Sequence, residues 1–272
     1  IQLCAALLYN LNLKGFAEAS IYKGKSKGLC VPGLNCYSCP GAVGSCPLGT
    51  LQNALSAMDR KLPFYILGVL LLFGVTMGRT ICGFLCPFGL VQELLYKIPV
   101  PKIKKNRVTQ ELSKVKYVIL AVFVVILPVV FKAASGLPVP AFCKYICPAG
   151  TLEGGIPLVL LDDSLSGLAG ALFHWKVLVL AVILVSACFL YRSFCRILCP
   201  LGAIYSLFAP VALLGVRIDR DTCVDCGRCV RTCKMDVRQV GDRECIQCGE
   251  CMKECNVDAI YWKKPWDVKS KR

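Results

Sequence analysis

Three long apolar stretches divide the chain. LPFYILGVLLLFGVTMG (62–78) carries no charge, VKYVILAVFVVILPVVF (115–131) carries only Lys116, at its start, and WKVLVLAVILVSACFLY (175–191) carries only Lys176, near its start. Each approaches the roughly 17–25 residues that a bilayer helix needs. The pattern therefore predicts three membrane-spanning helices, with Pro128 tolerated inside the second as a kink. Weaker apolar stretches at 84–96, 154–161 and 200–216 are short or cut by Pro and Gly. Interfacial or re-entrant helices suit them better than full spans. IQLCAALLYNLNL (1–13) is too short to span alone and reads as the rest of a truncated first helix or a signal-like segment. After residue 216 the long apolar runs stop and a polar, charged tail begins. The expected organisation is a membrane domain, 1–216, followed by a separate small domain, 217–272.

Composition sharpens this picture. Hydrophobic residues make up 56% of the chain and the mean hydropathy is +0.60, too apolar for an ordinary soluble domain. The net charge of +15 is gathered in particular loops. Loop 97–116 holds Lys97, Lys102, Lys104, Lys105, Arg107, Lys114 and Lys116 against Glu111 alone. Loop 132–174 holds Lys132 and Lys144 against Glu153, Asp162 and Asp163. The first reads as cytoplasmic and the second as the far side. Arg192, Arg196 and the basic tail then return to the cytoplasm. Segment 14–61 would lie outside, although Lys14, Lys23, Lys25, Lys27, Arg60 and Lys61 make it an exception to the rule. No basic and aromatic stripe points to nucleic acid. The expected location is a prokaryotic cytoplasmic membrane, with the tail in the cytoplasm.

The 20 cysteines carry the chemistry. A secreted disulfide scaffold would be short and polar, so cysteine at this density in a long apolar chain points to metal. CVDCGRCVRTC (223–233) and CIQCGECMKEC (245–255) are both C-x2-C-x2-C-x3-C. This is the bacterial ferredoxin run, whose fourth cysteine ligates the other cluster. One [4Fe–4S] site would use Cys223, Cys226, Cys229 and Cys255, and the other Cys245, Cys248, Cys251 and Cys233. Gly227 and Gly249 allow the sharp turns. The tail resembles bacterial-type ferredoxin domains over about 45 residues, except that Lys234 and Asn256 replace the usual proline after the fourth cysteine. A pair of zinc sites is the alternative.

A second phrase recurs in the membrane part: CGFLCPFG (82–89), CKYICPAG (143–150), CRILCPLG (195–202) and, without the first cysteine, CPLG (46–49). In C-x3-C a turn or helix start aims two thiolates at one centre. Proline then suits the first position of a new helix, whose positive end favours an anionic cluster. Each copy supplies two ligands, so a cubane needs two copies. The assumed topology pairs Cys82, Cys86, Cys195 and Cys199 as an inner site. An outer site would combine Cys143, Cys147 and Cys46 with Cys39, or with Cys36 in its place. Cys30 and Cys36 could instead form a disulfide or join a further site, and disulfides alone could account for the outer group. Cys4 and Cys188 read as plain buried thiols. No haem is expected, since His174 is the single histidine and C-x-x-C-H is absent.

Together, Cys82–Cys86–Pro87, Cys143–Cys147–Pro148, Cys195–Cys199–Pro200 and the eight tail cysteines resemble membrane iron–sulfur proteins of the NapH/NosR type. The third motif, the cysteine-rich segment 30–46 and the lack of a flavin-binding domain depart from that pattern. The resemblance implies respiratory electron transfer, often through quinol. The resulting expectation is a mainly α fold, a polytopic helical membrane domain with re-entrant helices plus an α+β ferredoxin-like tail. Two further clusters would lie near opposite membrane faces and divide a hydrocarbon core of about 30 Å. Electrons would enter from a soluble ferredoxin or cytoplasmic redox subunit and leave to an extracytoplasmic flavoprotein or other reductase. The chain would then be an oxidoreductase component with no catalytic side chain assigned. The alternatives are a quinol dehydrogenase subunit working on one face and an iron–sulfur redox sensor.

Overall fold

The two longest apolar runs that lack charge at their centres fold as continuous helix. Ala171–Phe189 is a single α-helix of 19 residues, and a second helix runs over 29 residues from Arg107 to Ser135. Both are long and apolar enough to cross a membrane, and only 17% of the most apolar window of each is buried. These elements come from a computed structural model, which describes residues 1–56, 63–103, 105–161, 167 and 169–263. Arg60, Lys61, Lys104, Asp162 and Asp163, used in the charge reading, lie outside the described residues.

The longer helix has an evident start, middle and stop. Asn106 caps it, accepting the Arg107 amide at 2.6 Å, while its own amide donates to Thr109 Oγ1 at 3.0 Å. Leu120–Ile126 widens into π-helical turns just before Pro128, which has no N–H to give and whose ring crowds the preceding turn. Gly136, at φ +71°, ends it. Gly150–Gly155 is likewise π-helical before Pro157.

The expected span at 62–78 is shorter than its apolar run. Phe64–Thr76 is helical for 13 residues, which at 1.5 Å per residue is about 20 Å and less than a bilayer core. Gly78, at φ +51°, turns the chain. The last carbonyls, of Val75 and Thr76, are taken by the amides of Leu213 and Leu214. Among the described residues there are thus two candidate spans, not three.

The expected proline-led helices are present as Pro47–Ser56, Pro87–Tyr96 and Pro200–Phe208. They converge on a core of Leu34, Phe88, Phe142, Phe194 and Tyr205 that includes most of the motif cysteines. In the tail, β1 (Gly215–Ile218) pairs antiparallel with β2 (Ile260–Lys263), Gly215 opposite Lys263 and Ile218 opposite Ile260. This ribbon closes the loops that carry the eight tail cysteines.

The tail is seated on the apolar part by buried charge. Glu244, next to Cys245, takes Arg79 at 2.9 Å and Lys116 at 2.5 Å. Asp236 pairs with Arg196 and accepts Thr109 Oγ1 at 2.9 Å. Lys105 donates to the carbonyls of Val230 and Cys233.

Candidate cofactor sites

The four inner cysteines meet. Short helices Thr80–Phe84 and Ser193–Ile197 carry Cys82 and Cys195, and the proline-led helices begin directly after Cys86 and Cys199. All four are buried, and Cys199 lies within the electrostatic reach of Cys195, Cys82 and Cys86. Burial pushes the Cys86 thiol up to about 12, and its neighbours Cys195 and Cys82 add to the shift.

The outer group is Cys36, Cys46, Cys143 and Cys147. They line one cavity of about 710 Å³. Cys36 is in the field of both Cys147 and Cys46, and burial raises its pKa. Cys39, the expected fourth member, is instead turned onto the amides of Gly41 and Ala42, and does not line the cavity. The reason is a contact from a distant part of the chain. Glu153 accepts the Cys36 amide at 2.6 Å and so pins this residue over the Cys147 helix. Burial pushes the Glu153 carboxyl up to about 7, with the Cys36 amide opposing. Cys30 donates to Thr50 Oγ1 and does not pair with Cys36. Cys4, expected to be buried, is exposed on the helix that also exposes Leu3, Leu7 and Leu8, and Cys188 is half-buried.

The glycine of C-P-x-G has the same task in all four copies. The amides of Gly49, Gly89, Gly150 and Gly202 point at the sulfurs of Cys46, Cys86, Cys147 and Cys199. The bond is 3.4 Å long for Gly150 and 3.3 Å for Gly202. These are the free N–H groups of a helix start aimed at a thiolate.

In the tail, Cys223, Cys226, Cys229 and Cys255 line a cavity of about 290 Å³. Cys233, Cys245, Cys248 and Cys251 line a tighter one of about 30 Å³ that Tyr191 also borders. Each cavity is thus lined by three cysteines of one run and the fourth of the other. At the two positions that lack proline, Lys234 binds Glu250 at 3.2 Å and Asn256 accepts Arg228 at 2.6 Å.

The four groups are neighbours, which the assumed placement at opposite membrane faces does not anticipate. The amide of Leu34 bonds the inner Cys86, and the next amide, of Asn35, bonds the outer Cys46. Consecutive residues are about 3.8 Å apart, so these two sulfurs lie within roughly 12 Å of each other. Gly33 lies against Cys86 as well, 3.1 Å from its Cα to a Cβ built on the glycine. Gly83, inside the inner motif, touches the second tail loop: a Cβ there would be 2.4 Å from the Ile246 carbonyl.

Buried cations surround the inner group. Arg79, Lys116, Arg192 and Arg196 face three carboxylates, Glu244, Glu93 and Asp236. Arg192 reaches the Cys82 carbonyl and Arg79 the Cys195 carbonyl. One cation in excess, N–H groups aimed at sulfur and four convergent thiols fit an anionic iron–sulfur cluster in the inner group, and the outer group offers the same N–H groups and four thiols. Among the described residues no three His, Cys, Asp or Glu side chains are gathered so as to hold a single metal ion. Cubane ligands stand apart at the corners of a larger body.

Sequence reasoning missed the buried arginines and two glutamines. Gln52 donates to Cys143 Sγ at 3.2 Å, and Gln92 to Cys195 Sγ at 3.1 Å. The signal was available, since each glutamine stands six residues after the cysteine of its C-P-x-G phrase. Among the described residues the His174 ring bonds the Gly170 carbonyl, at 3.1 Å.

A family model described as a 4Fe–4S binding domain matches residues 45–65, 62–106, 117–156 and 171–218. MJ0750, an uncharacterised protein of Methanocaldococcus jannaschii, is 30% identical over 62% of this chain and 64% of its own length. YccM of Escherichia coli, to which electron transport is provisionally ascribed, is 23% identical over 71% of this chain and 54% of its own. The methylamine utilization ferredoxin-type protein MauN of Paracoccus denitrificans is 26% identical over 71% of this chain and 62% of its own. The chain thus spans between about half and two thirds of the length of the curated relatives it matches. No solved structure matches.

Proposed function

The chain belongs to the 4Fe–4S binding domain family, and from that premise we propose that it conducts electrons through a membrane by way of four iron–sulfur sites in a row. Clusters of this type supply reversible one-electron transfer. The tail cysteines would hold two, the inner group a third and the outer group, Cys36, Cys46, Cys143 and Cys147, a fourth.

The carrying observation is contact between successive ligand loops. Cys223–Cys229 lies furthest out, and Cys226 is exposed. The Cys245–Cys251 loop rests on Gly83 of the inner motif. The adjacent amides of Leu34 and Asn35 bridge the inner and outer groups. The two ends of the row open into cavities of about 290 and 710 Å³, whereas the inner cysteines are buried. Such a row would have an entrance and an exit, with its central cysteines buried.

The helices Arg107–Ser135 and Ala171–Phe189 would hold the row in the bilayer, with the tail on the cytoplasmic side, as in proteins of the NapH/NosR type. The donor would be an acidic soluble ferredoxin or redox subunit, drawn to the basic face. The acceptor would be an extracytoplasmic flavoprotein or another reductase. A second reading, quinol oxidation at the outer site, is favoured by the size of its cavity, which falls in the range of small-molecule pockets.

Reconstitution into sealed vesicles tests the proposal. With a membrane-impermeant reductant on the tail side, an impermeant dye enclosed on the other should be reduced. Cys46→Ser should stop this while the tail signals still reduce. Equal dye reduction by wild type and Cys46→Ser would refute the row.

A further inference from the structure

The two glutamines occupy the same place in two copies of the repeat and make the same three bonds. Gln92 Nε2 donates to Cys195 Sγ at 3.1 Å and to the Phe88 carbonyl at 3.3 Å, while its Oε1 accepts the Phe194 amide at 3.0 Å. Gln52 Nε2 donates to Cys143 Sγ at 3.2 Å and to the Leu48 carbonyl at 3.3 Å, while its Oε1 accepts the Phe142 amide at 2.9 Å. Both side chains are fully buried.

These bonds fix the orientation of each amide. A backbone N–H can only donate, so Oε1 must face Phe142 or Phe194. That leaves the NH2 group facing the sulfur and the carbonyl one turn back. Each glutamine therefore presents an N–H to the first cysteine of the partner copy. The other two copies have Glu153 and Tyr205 at this place, and both turn to the strap 32–36. Glu153 accepts the Cys36 amide at 2.6 Å, and Tyr205 donates to the Pro32 carbonyl at 2.8 Å. All four residues six places after the C-P-x-G cysteine thus reach across to another segment, Gln52 and Gln92 to the first cysteine of a partner copy and Glu153 and Tyr205 to the strap 32–36.

We propose that Gln52 and Gln92 are matched positioning residues that orient Cys143 and Cys195 and raise the reduction potentials of the outer and inner sites. This rests on the reading of those cysteine groups as iron–sulfur sites. Reduction adds negative charge to the cluster and its sulfurs. A buried N–H donor stabilises the reduced state more than the oxidised one, and hydrogen bonds to sulfur are a recognised control of such potentials. The effect is large where no water competes.

The test is a redox titration of the full-length, cluster-loaded protein followed by electron paramagnetic resonance. Gln92→Leu should lower one membrane midpoint, and Gln52→Leu should lower a different one, with the tail signals unmoved. A tenfold change in the ratio of oxidised to reduced site is expected, about 59 mV for one electron. Should a leucine variant lose iron, Gln→Glu at the same position replaces it. Glutamate, titrated at a pH where its carboxyl is ionised, keeps the acceptor for the phenylalanine amide and puts a negative charge in place of the donor to sulfur, so a downward shift is again expected. Unchanged midpoints in variants that keep their iron would overturn the proposal, as would equal shifts in every signal. A wild-type protein showing only the tail signals would instead defeat the underlying reading, before any variant is made.

Discussion

Cys36 and Cys39 are three residues apart, yet only Cys36 faces Cys46 and Cys147. Sequence spacing could not separate them, because the choice depends on Glu153, 117 positions away, holding the Cys36 amide. Cys36→Ser should therefore cost about four irons per chain, and Cys39→Ser none; iron analysis of the two purified variants checks this. The C-x3-C-P-x-G phrases themselves were legible, since their chemistry is local: two thiolates, a proline that starts a helix and a glycine amide on the sulfur. Gly83 was legible only as a spacer. A methyl group there would stand 2.4 Å from the Ile246 carbonyl, and backbone cannot yield as a side chain does. Gly83→Ala should cost about 1–3 kcal/mol and push the second tail loop away. The magnetic interaction between neighbouring reduced sites should weaken, and an unaltered spectrum would count against that contact.

At the scale of elements, hydropathy located the apolar segments but not their lengths as helices. The run 62–78 contains no charge, but Gly78 turns the chain and the strand-bound segment 213–214 takes its last carbonyls. Proline at 128 and 157 is preceded by π-helical turns, a local widening that hydropathy does not signal. The seating of the tail was invisible to sequence reading, which separated the two domains at residue 216. Glu244 is the centre of that joint. Burial pushes its carboxyl up, but Arg79 and Lys116 outweigh this and hold it below its ordinary value. Glu244→Gln would leave two buried cations without their counter-charge, at a cost of about 3–5 kcal/mol. Limited proteolysis should then release the tail faster than in wild type, and equal release rates would show that the joint bears little.

For the whole molecule, the net charge of +15 was read as loop orientation. Part of it proves to be internal: four buried cations gather around the inner cysteines, and three of them, Arg79, Lys116 and Arg196, hold the tail against them. Placing the sites near opposite faces also assumed that the motifs end where the spans end. The strap 32–36 removes that separation by threading between the two groups, and an irregular segment of this kind carries no periodic signal. The row of four sites is the central claim, and truncating the tail would test it poorly, because it would expose Arg79, Lys116 and Arg196. The direct measurement is iron and acid-labile sulfide on full-length protein purified without oxygen, in wild type and in a variant with Cys82, Cys86, Cys195 and Cys199 all changed to Ser. The account predicts about sixteen irons and sixteen sulfides per chain, falling by about four of each in the variant. About eight in both proteins would confine the clusters to the tail and contradict the row.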